Sequence, residues 1–467
     1  MTTTDQPAPT TDAGGGLSPD LLAWVQETAG GRVTRADRVP GGGRHEAWLI
    51  DVEQPGGQSL DLFFRYNRTD PDDTGEYHTL HREAQIYLAL QDTPVPVPRV
   101  LGVHPVEQAI LSTRVPGDTW FSRLKDEELR LSVARDFMGH LAALHQVDPH
   151  RLQLADQDAD ADLRDLVRRE IDIWEELYRH GDYVREPLVE FGLNWLRRNV
   201  PDVFGPVVLV QGDTGPGNFL YRDGKVTAVL DWELAHLGDP HDDLGWLALR
   251  AVQEPFTNFA DRLADYAAAT GREIDLDRLR YYRDFAELRV VILGNRREQQ
   301  ENLLGEVGNG LMYIALHRRL FVEGLAEVMG LSLDPEVRLS AEPTSRDWLY
   351  EACLAQIREI IIPRSSDPFV VLRGKGVARV LKFLREVDRL GPLADQQELE
   401  DLTALLGSRP RSVEEGRLLL AEAVGEPGRL VDADVLRTFG RRVARETELL
   451  RPAMGVLAER HFDPLER

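Results

Sequence analysis

The sequence predicts an α+β protein with a β-rich N-terminal region, a mainly helical central region and an all-helical C-terminal region. Three short segments with strand-like patterning, at residues 33–39, 46–52 and 60–66, lie near the N-terminus. From Trp120 onward, apolar residues recur at the three- and four-residue spacing of helices. A strand, a polar loop and a hairpin at residues 207–231 interrupt this helical pattern. The order of elements therefore indicates a β-rich lobe, a helical lobe and a helical addition.

Composition excludes several classes of function. The chain has 467 residues, enough for about two or three domains, and its net charge of −24 argues against a nucleic-acid partner. The single cysteine, Cys353, permits no intramolecular disulfide or cysteine metal site, and its apolar helical surroundings predict a core position. No apolar run is long enough to cross a membrane, and no secretory signal is evident. We therefore expect a cytoplasmic protein without a membrane partner.

The N-terminal elements begin after a polar tail. Residues 1–17 are mainly Thr, Pro, Ala, Asp and Gly, a composition that predicts disorder. Ser18 then has the position of an N-cap for an amphipathic helix. Between the first two strands lie Gly41, Gly42 and Gly43. Their backbone amides could approach phosphate groups, or the glycines could simply form a turn.

The segment around Asp213 is the most informative part of the chain. Four apolar residues, 207–210, predict a strand that leads into Asp213, and Asn218 follows five residues later. An Asp-Gly hairpin then returns the chain to Asp231, so these three side chains are expected to lie together. Carboxylate and amide oxygens suit Mg²⁺, and a carboxylate can accept the proton of an attacking hydroxyl. The pattern favours a phosphoryl-transfer site over a polar loop without chemistry.

These residues carry a resemblance to a known family. Asp213, Asn218 and the run 229–240, which reads Val-Leu-Asp-Trp-Glu-Leu-Ala-His-Leu-Gly-Asp-Pro, resemble the aminoglycoside phosphotransferase superfamily of protein-kinase-like small-molecule kinases. Within it, the run is most similar to the kinase domain associated with some acyl-CoA dehydrogenases. The resemblance covers residues 30–330. One departure is Gln211, because the family usually has His two residues before the catalytic Asp; Gln can still form hydrogen bonds.

The resemblance implies a bilobal protein-kinase-like fold that binds ATP and Mg²⁺ between the lobes. The N-lobe would span residues 18–116 and the mainly helical C-lobe residues 117–330. Asp213 would then be the catalytic base, while Asn218 and Asp231 would hold Mg²⁺. The glycines at 41–43 would lie over the nucleotide phosphates.

The same resemblance implies a cation on the third strand, paired with a helix glutamate, that orients the phosphates. Arg65 and Glu83 occupy these positions. Many relatives have Lys on the strand, but Arg stays charged and holds phosphate in a fork. The alternative is that Arg65 is a solvated strand residue. The strand at 109–115 would lead to the hinge between the lobes, where Leu111 and Thr113 would contact the nucleotide base. Residues 110–113 could also be a plain buried strand, and the two interpretations are compatible.

Other C-lobe residues have supporting or substrate-binding interpretations. Asp243 is expected to support the catalytic loops, and His145 to cap or pack at a helix end. Arg289, Arg296 and Arg297 are expected to give the acceptor pocket positive charge.

The C-terminal region is predicted to be a separate unit. Residues 331–345 have the composition of a linker, and residues 346–467 show helical apolar stripes throughout. This part is similar to a small helical domain of unknown function found with this branch of kinases. Because its helices carry their own apolar stripes, we expect few contacts across the linker.

The expected function is that of an ATP-dependent small-molecule kinase acting on a substrate hydroxyl. The resemblance favours a hydroxyacyl-CoA or a lipid-like alcohol as acceptor, and a homodimer is possible. One alternative is an aminoglycoside or other antibiotic phosphotransferase, which the acidic composition permits. Another is a nucleotide-binding pseudokinase scaffold, which the unusual Gln211 and Arg65 would allow but the presence of Asp213, Asn218 and Asp231 opposes.

Overall fold

The computed structural model describes residues 16–39, 46–67, 77–152, 158–180, 183–202, 205–295, 305–333, 337, 339–426 and 428–466. The glycines at 41–43 and residues 1–15 of the predicted tail lie outside the described residues.

The N-lobe is a five-stranded antiparallel sheet of order β1-β2-β3-β5-β4 with two helices. Alternate residues of β2, namely Trp48, Ile50 and Val52, are buried because one face of the sheet packs against α1. Ser18 caps α1 as predicted, its hydroxyl accepting a hydrogen bond from the Leu21 amide at 3.3 Å. The elements are α1 (Pro19–Ala29), β1 (Arg32–Arg38), β2 (Glu46–Glu53), β3 (Ser59–Asn67), α2 (Leu80–Leu90), β4 (Val100–Val103) and β5 (Gln108–Thr113).

The C-lobe is mainly helical and contains two small antiparallel sheets, β6-β9 and β7-β8. These sheets matter because the loops between their strands carry the predicted site residues. The α+β, protein-kinase-like architecture is therefore as predicted. The elements are α3 (Glu127–Leu144), α4 (Leu163–Arg179), α5 (Pro187–Arg198), β6 (Val208–Val210), β7 (Phe219–Arg222), β8 (Lys225–Val229), β9 (His236–Gly238), α6 (Pro240–Gln253), α7 (Phe259–Thr270), α8 (Leu276–Gly294) and α9 (Val307–Val328).

The C-terminal region is all-helical, as predicted. The prediction that Cys353 is a core residue is wrong, because its side chain is exposed on α10. The neighbouring Leu354 is the residue that this surface helix buries. Although α11 has 39 residues, no described helix is both long and apolar enough to span a bilayer. The elements are α10 (Asp347–Gln356) with a π-helical turn (Ile357–Ile361) and a last short turn (Ile362–Arg364), α11 (Pro368–Leu406), α12 (Val413–Gly425) and α13 (Asp432–Met454).

The C-terminal helices share a hydrophobic core with the C-lobe. Phe439 of α13 contacts Phe191 of α5, with ring centroids 5.8 Å apart, inside one continuous buried cluster. Arg442 of α13 donates two hydrogen bonds, of 2.7 and 3.2 Å, to the carboxylate of Glu186 at the start of α5. The expectation of few contacts across the linker is therefore not met, because the apolar stripes of the tail face the C-lobe as well as one another.

Candidate active site

The loop between β6 and β7 presents Asp213 at the surface of the C-lobe. Gly212, just before it, has a φ of 84°, and a side chain there would collide with the backbone carbonyl of Leu234. A residue with a Cβ would therefore push this loop away from the segment that follows β8. The glycine lets the two loops that carry Asp213 and Asp231 approach each other.

The carboxylate of Asp213 is held from two sides. Its Oδ1 accepts a hydrogen bond from Arg250 Nε at 2.7 Å, and its Oδ2 accepts from Arg250 Nη2 and from Asn218 Nδ2. Burial raises the pKa of Asp213 above its ordinary value, whereas Arg250 lowers it. Each carboxylate oxygen has two acceptor sites, so Oδ1 keeps one that no described residue fills. That site is where a substrate hydroxyl can donate its proton.

Arg250 is a functional residue that sequence reasoning missed. It lies on α6, 37 residues after Asp213, and only the tertiary fold brings the two together. The backbone of the Asp213 loop also packs directly against Arg250. A side chain at Gly215 would collide with Arg250 Cβ and Cγ. The one available signal was an arginine at the end of the apolar run 244–249.

Gln211 joins the two catalytic loops. Its Oε1 accepts a hydrogen bond from the Asp213 amide at 3.0 Å and lies 2.9 Å from the Thr214 hydroxyl. Its Nε2 donates to the backbone carbonyls of Leu230 at 2.9 Å and Asp231 at 2.7 Å. The Asp213 amide and the two carbonyls require this orientation of the Gln211 amide. Gln211 can thus support the loops at the position where the family usually has His.

Asp243 supports the same loop from below, which confirms its predicted scaffold role. The Asp243 carboxylate is fully buried and accepts hydrogen bonds from the backbone amides of Gln211 and Gly212 and from the Thr214 hydroxyl. It also contacts His145 Nε2 at 2.9 Å. His145 lies at the C-terminal end of α3, so it is a packing residue as predicted and not a catalytic one.

Asn218 and Asp231 provide oxygens suited to Mg²⁺. Asn218 donates its amide hydrogens to the Asp213 carbonyl and carboxylate, both at 2.7 Å, and its Oδ1 then points to no described donor. Asp231 has a φ of 62°, rare for a residue with a side chain, and its carboxylate is 35% exposed. No three His, Cys, Asp or Glu side chains in the described part of the chain converge as a metal site.

Arg65 and Glu83 form a buried ion pair beside Asp231. Arg65 Nη1 lies 2.5 Å from Glu83 Oε1, and Nη2 lies 3.3 Å from Asp231 Oδ1. Burial alone would lower the pKa of Arg65, but these carboxylates outweigh it and hold the pKa well above its ordinary value. Burial raises the pKa of Glu83 to about 7 against the opposing effect of Arg65. Arg65 is thus a paired cation at the cleft and not a solvated strand residue.

The structure moves the candidate residue for the nucleotide-base contact from β5 to the position just after it. Leu111 is fully buried in the N-lobe core, and the Thr113 amide donates to the Arg99 carbonyl at 2.8 Å. The next amide, that of Arg114, donates to Asp61. Val115 is therefore the first position after β5 whose amide has no partner among the described residues, and it replaces Leu111 and Thr113 as our candidate for the base contact.

Arg289 does not serve the acceptor pocket. It is 1% exposed and donates two hydrogen bonds, of 2.6 and 2.9 Å, to the carboxylate of Asp242. Although burial opposes ionisation, Arg289 lowers the pKa of Asp242 to about 2. The pair is a buried support between α6 and α8. Arg296 and Arg297 lie outside the described residues.

Part of the sequence is similar to known proteins. The sequence model described as "Phosphotransferase enzyme family" matches residues 37–282. Acyl-CoA dehydrogenase family member 11 of Rattus norvegicus is 28% identical over 232 residues, covering 45% of this chain and 29% of that protein. Family member 10 of Mus musculus is 31% identical over 186 residues, covering 37% and 17%. The chain thus spans less than a third of these relatives.

A solved structure, macrolide 2′-phosphotransferase from Brachybacterium faecium, aligns with a TM-score of 0.44 at 21% identity, covering 60% of this chain and 96% of that one.

Proposed function

The chain belongs to the phosphotransferase enzyme family, and from this premise we propose that it transfers the γ-phosphate of ATP to an alcohol group on a hydroxyacyl-CoA or a related lipid-like alcohol. The observation that carries the proposal is the convergence of Asp213, Asn218 and Asp231 beside the Arg65–Glu83 pair. Phosphoryl transfer needs little covalent help from the protein and depends on positioning and charge neutralisation.

Asp213 is the proposed catalytic base. The substrate hydroxyl would donate to the open acceptor site on Oδ1, and its proton would pass to the carboxylate as the hydroxyl oxygen attacks the γ-phosphorus. The bond between that phosphorus and the β,γ-bridging oxygen breaks, and ADP leaves. Arg250 and Asn218 fix the orientation of the carboxylate throughout.

The remaining residues bind and orient the nucleotide. Arg65, fixed by Glu83, would hold phosphate oxygens, and the Val115 amide, which has no partner among the described residues, would contact the base. Asn218 and Asp231 would hold Mg²⁺, which neutralises phosphate charge when bound. These intact contacts favour an active kinase over a pseudokinase scaffold.

The acceptor class rests on the similarity to proteins named acyl-CoA dehydrogenase family members 10 and 11. It is tested by incubating the full chain with γ-labelled ATP, Mg²⁺ and each of three acceptors. These are an acyl-CoA with a hydroxyl on its chain, the corresponding free hydroxy acid, and the aminoglycoside kanamycin.

We expect label on the hydroxyacyl-CoA and little on the others. Label on kanamycin alone would support the antibiotic alternative. Tight nucleotide binding with no transfer to any alcohol would support the scaffold alternative.

A further inference from the structure

The first half of α11 carries positive charge that the described part of the chain neutralises only at Arg385. Residues 368–385 include five basic and no acidic residues, in a chain whose net charge is −24. Arg385 pairs with Glu351 and Glu386. Within the described part of the chain, the other four have no carboxylate at ion-pair distance; they are Arg373, Lys375, Arg379 and Lys382.

Three of these cations form a stripe along one face of the helix. Lys375, Arg379 and Lys382 are spaced at i, i+4 and i+7, which places them in a row. We call them the α11 cation stripe. None of the three side chains lies in the hydrophobic core, and Lys375 is exposed.

The stripe is fixed to α9. Gly308 of α9 contacts the backbone of Gly376 so closely that a side chain at Gly308 would collide with it. Arg379 donates a hydrogen bond to Asn309 Oδ1, and Phe383 packs onto the cluster that contains Met312. These contacts hold the N-terminal half of α11 against the first turns of α9.

From α9 a short series of contacts leads to the catalytic base. Asn309 and Tyr313 are one helical turn apart and share a side of α9. Tyr313 stacks on His317 with ring centroids 6.4 Å apart, and His317 Nε2 lies 2.6 Å from Gln253 Nε2 on α6. The Gln253 Oε1 accepts a hydrogen bond from Arg250 Nη1 at 3.4 Å. Arg250 in turn holds Asp213. The bond between Arg379 and Asn309 therefore lies on the side of α9 that faces α6, the helix that carries Arg250.

We propose that the α11 cation stripe binds the phosphorylated coenzyme A portion of the acceptor while its hydroxyl is held at Asp213. Lys and Arg side chains without carboxylate partners are suited to phosphate groups. The sequence predicted that Arg289 gives the acceptor pocket positive charge. In the structure, Asp242 already neutralises Arg289. The inference rests on the proposed acceptor class, and it gives the C-terminal helical region a role in substrate binding.

The test measures binding of coenzyme A itself to the full chain by isothermal titration calorimetry. Saturating Mg·ADP is present throughout, so that the adenine of coenzyme A cannot occupy the nucleotide site. The double variant Lys375→Glu/Lys382→Glu reverses two charges of the stripe and leaves the bond between Arg379 and Asn309 in place. The matched control, Arg429→Glu/Arg437→Glu, makes the same change in net charge at two exposed tail arginines that pair with acids three residues earlier.

We expect the stripe variant to weaken coenzyme A binding by about tenfold or more and the control by less than about twofold, because a direct phosphate contact is lost only in the first. Mg·ADP affinity and the melting temperature should stay unchanged in both.

Equal coenzyme A affinity of the stripe variant and the wild type overturns the inference even if hydroxyacyl-CoA is phosphorylated. An equal loss in the control also overturns it, because net charge would then explain the effect. If the wild type binds Mg·ADP but no coenzyme A, both the inference and the proposed thioester acceptor fail. Phosphotransfer to another alcohol would then still support kinase activity.

Discussion

Asp213 is subject to two opposing influences. Burial raises the pKa of Asp213 above its ordinary value, and the two-pronged contact with Arg250 opposes that rise. A general base works only when it is deprotonated, so activity should be lost as the pH falls through its pKa. Arg250 therefore sets how far into the acid range the enzyme stays active.

Replacing Arg250 by Gln should move the acid limb of the pH profile of kcat/KM to higher pH. The change removes the cation that lowers the pKa of Asp213 and leaves the burial that raises it. The control is Arg222→Gln, which removes an exposed arginine on β7. An acid limb at the same pH in the Arg250 variant and the wild type would show that Arg250 does not tune the base.

Asp231 and Asp213 should differ in their effect on the nucleotide. Asp231→Asn should weaken Mg²⁺-dependent ATP binding more than Asp213→Asn does, because it removes an anionic metal ligand and not a base. Calorimetric titration of ATP at several Mg²⁺ concentrations measures the difference. Equal ATP affinities of the two variants at every Mg²⁺ concentration would contradict the roles assigned here.

At the scale of elements, the catalytic loop and the segment after β8 depend on one side chain. Gln211 satisfies an amide on the first loop and two carbonyls on the second. Gln211→Met keeps the approximate volume but leaves these groups without a partner, which costs about 1–3 kcal/mol for each buried group. We expect a lower melting temperature and a reduced kcat.

Gln211→His is the matched comparison, because it restores the residue usual in the family. It should retain more activity and stability than Gln211→Met in thermal melts and steady-state assays. If Gln211→Met melts and turns over like the wild type, the amide does not hold the loops.

Local patterns explain which parts of these elements could be predicted. The positions of Arg65 on a strand and Glu83 on the next helix, and the hairpin that returns Asp231, follow from patterning and turn chemistry over short stretches of chain. Arg250 could not be found in this way, because its contact with Asp213 arises from the packing of α6 against the loop. Arg289 was misplaced for a related reason: sequence does not reveal that a buried Asp242 neutralises it.

At the scale of the whole molecule, the C-terminal region is part of the kinase core. An apolar stripe on a helix shows that one face is buried but not what covers it, so the sequence could not distinguish a separate bundle from a docked one. We now predict that a chain ending at Gly330 is insoluble or lacks fixed packing, because Phe191 and its neighbours would be exposed. A soluble truncated chain with a native near-ultraviolet circular dichroism spectrum would contradict this.

The ion pair between Glu186 and Arg442 tests the same interface without truncation. Although burial opposes it, Arg318 and Arg442 hold the pKa of Glu186 well below its ordinary value. Glu186→Gln should therefore lower the free energy of unfolding by about 1–3 kcal/mol, because it removes a charge-assisted pair while Glu446 still contacts Arg442 at 3.0 Å.

The stabilisation by Glu186 is present above the ordinary glutamate pKa and is lost as the pH falls below it, because the folded-state pKa is depressed. Urea unfolding at neutral and acid pH should show the difference between wild type and variant shrinking on acidification. A difference that is constant with pH would mean that the pair contributes no ionic stabilisation.

The central claim is that Asp213 accepts the proton of an alcohol during phosphoryl transfer from ATP. The most direct measurement is single-turnover transfer from γ-labelled ATP to a hydroxyacyl-CoA by the wild type and by Asp213→Asn, with Mg·ATP affinity measured in parallel. We predict a rate lower by about 10²–10⁴-fold in the variant at nearly unchanged Mg·ATP affinity, because only the base is removed. A variant that transfers phosphate at the wild-type rate would contradict the claim.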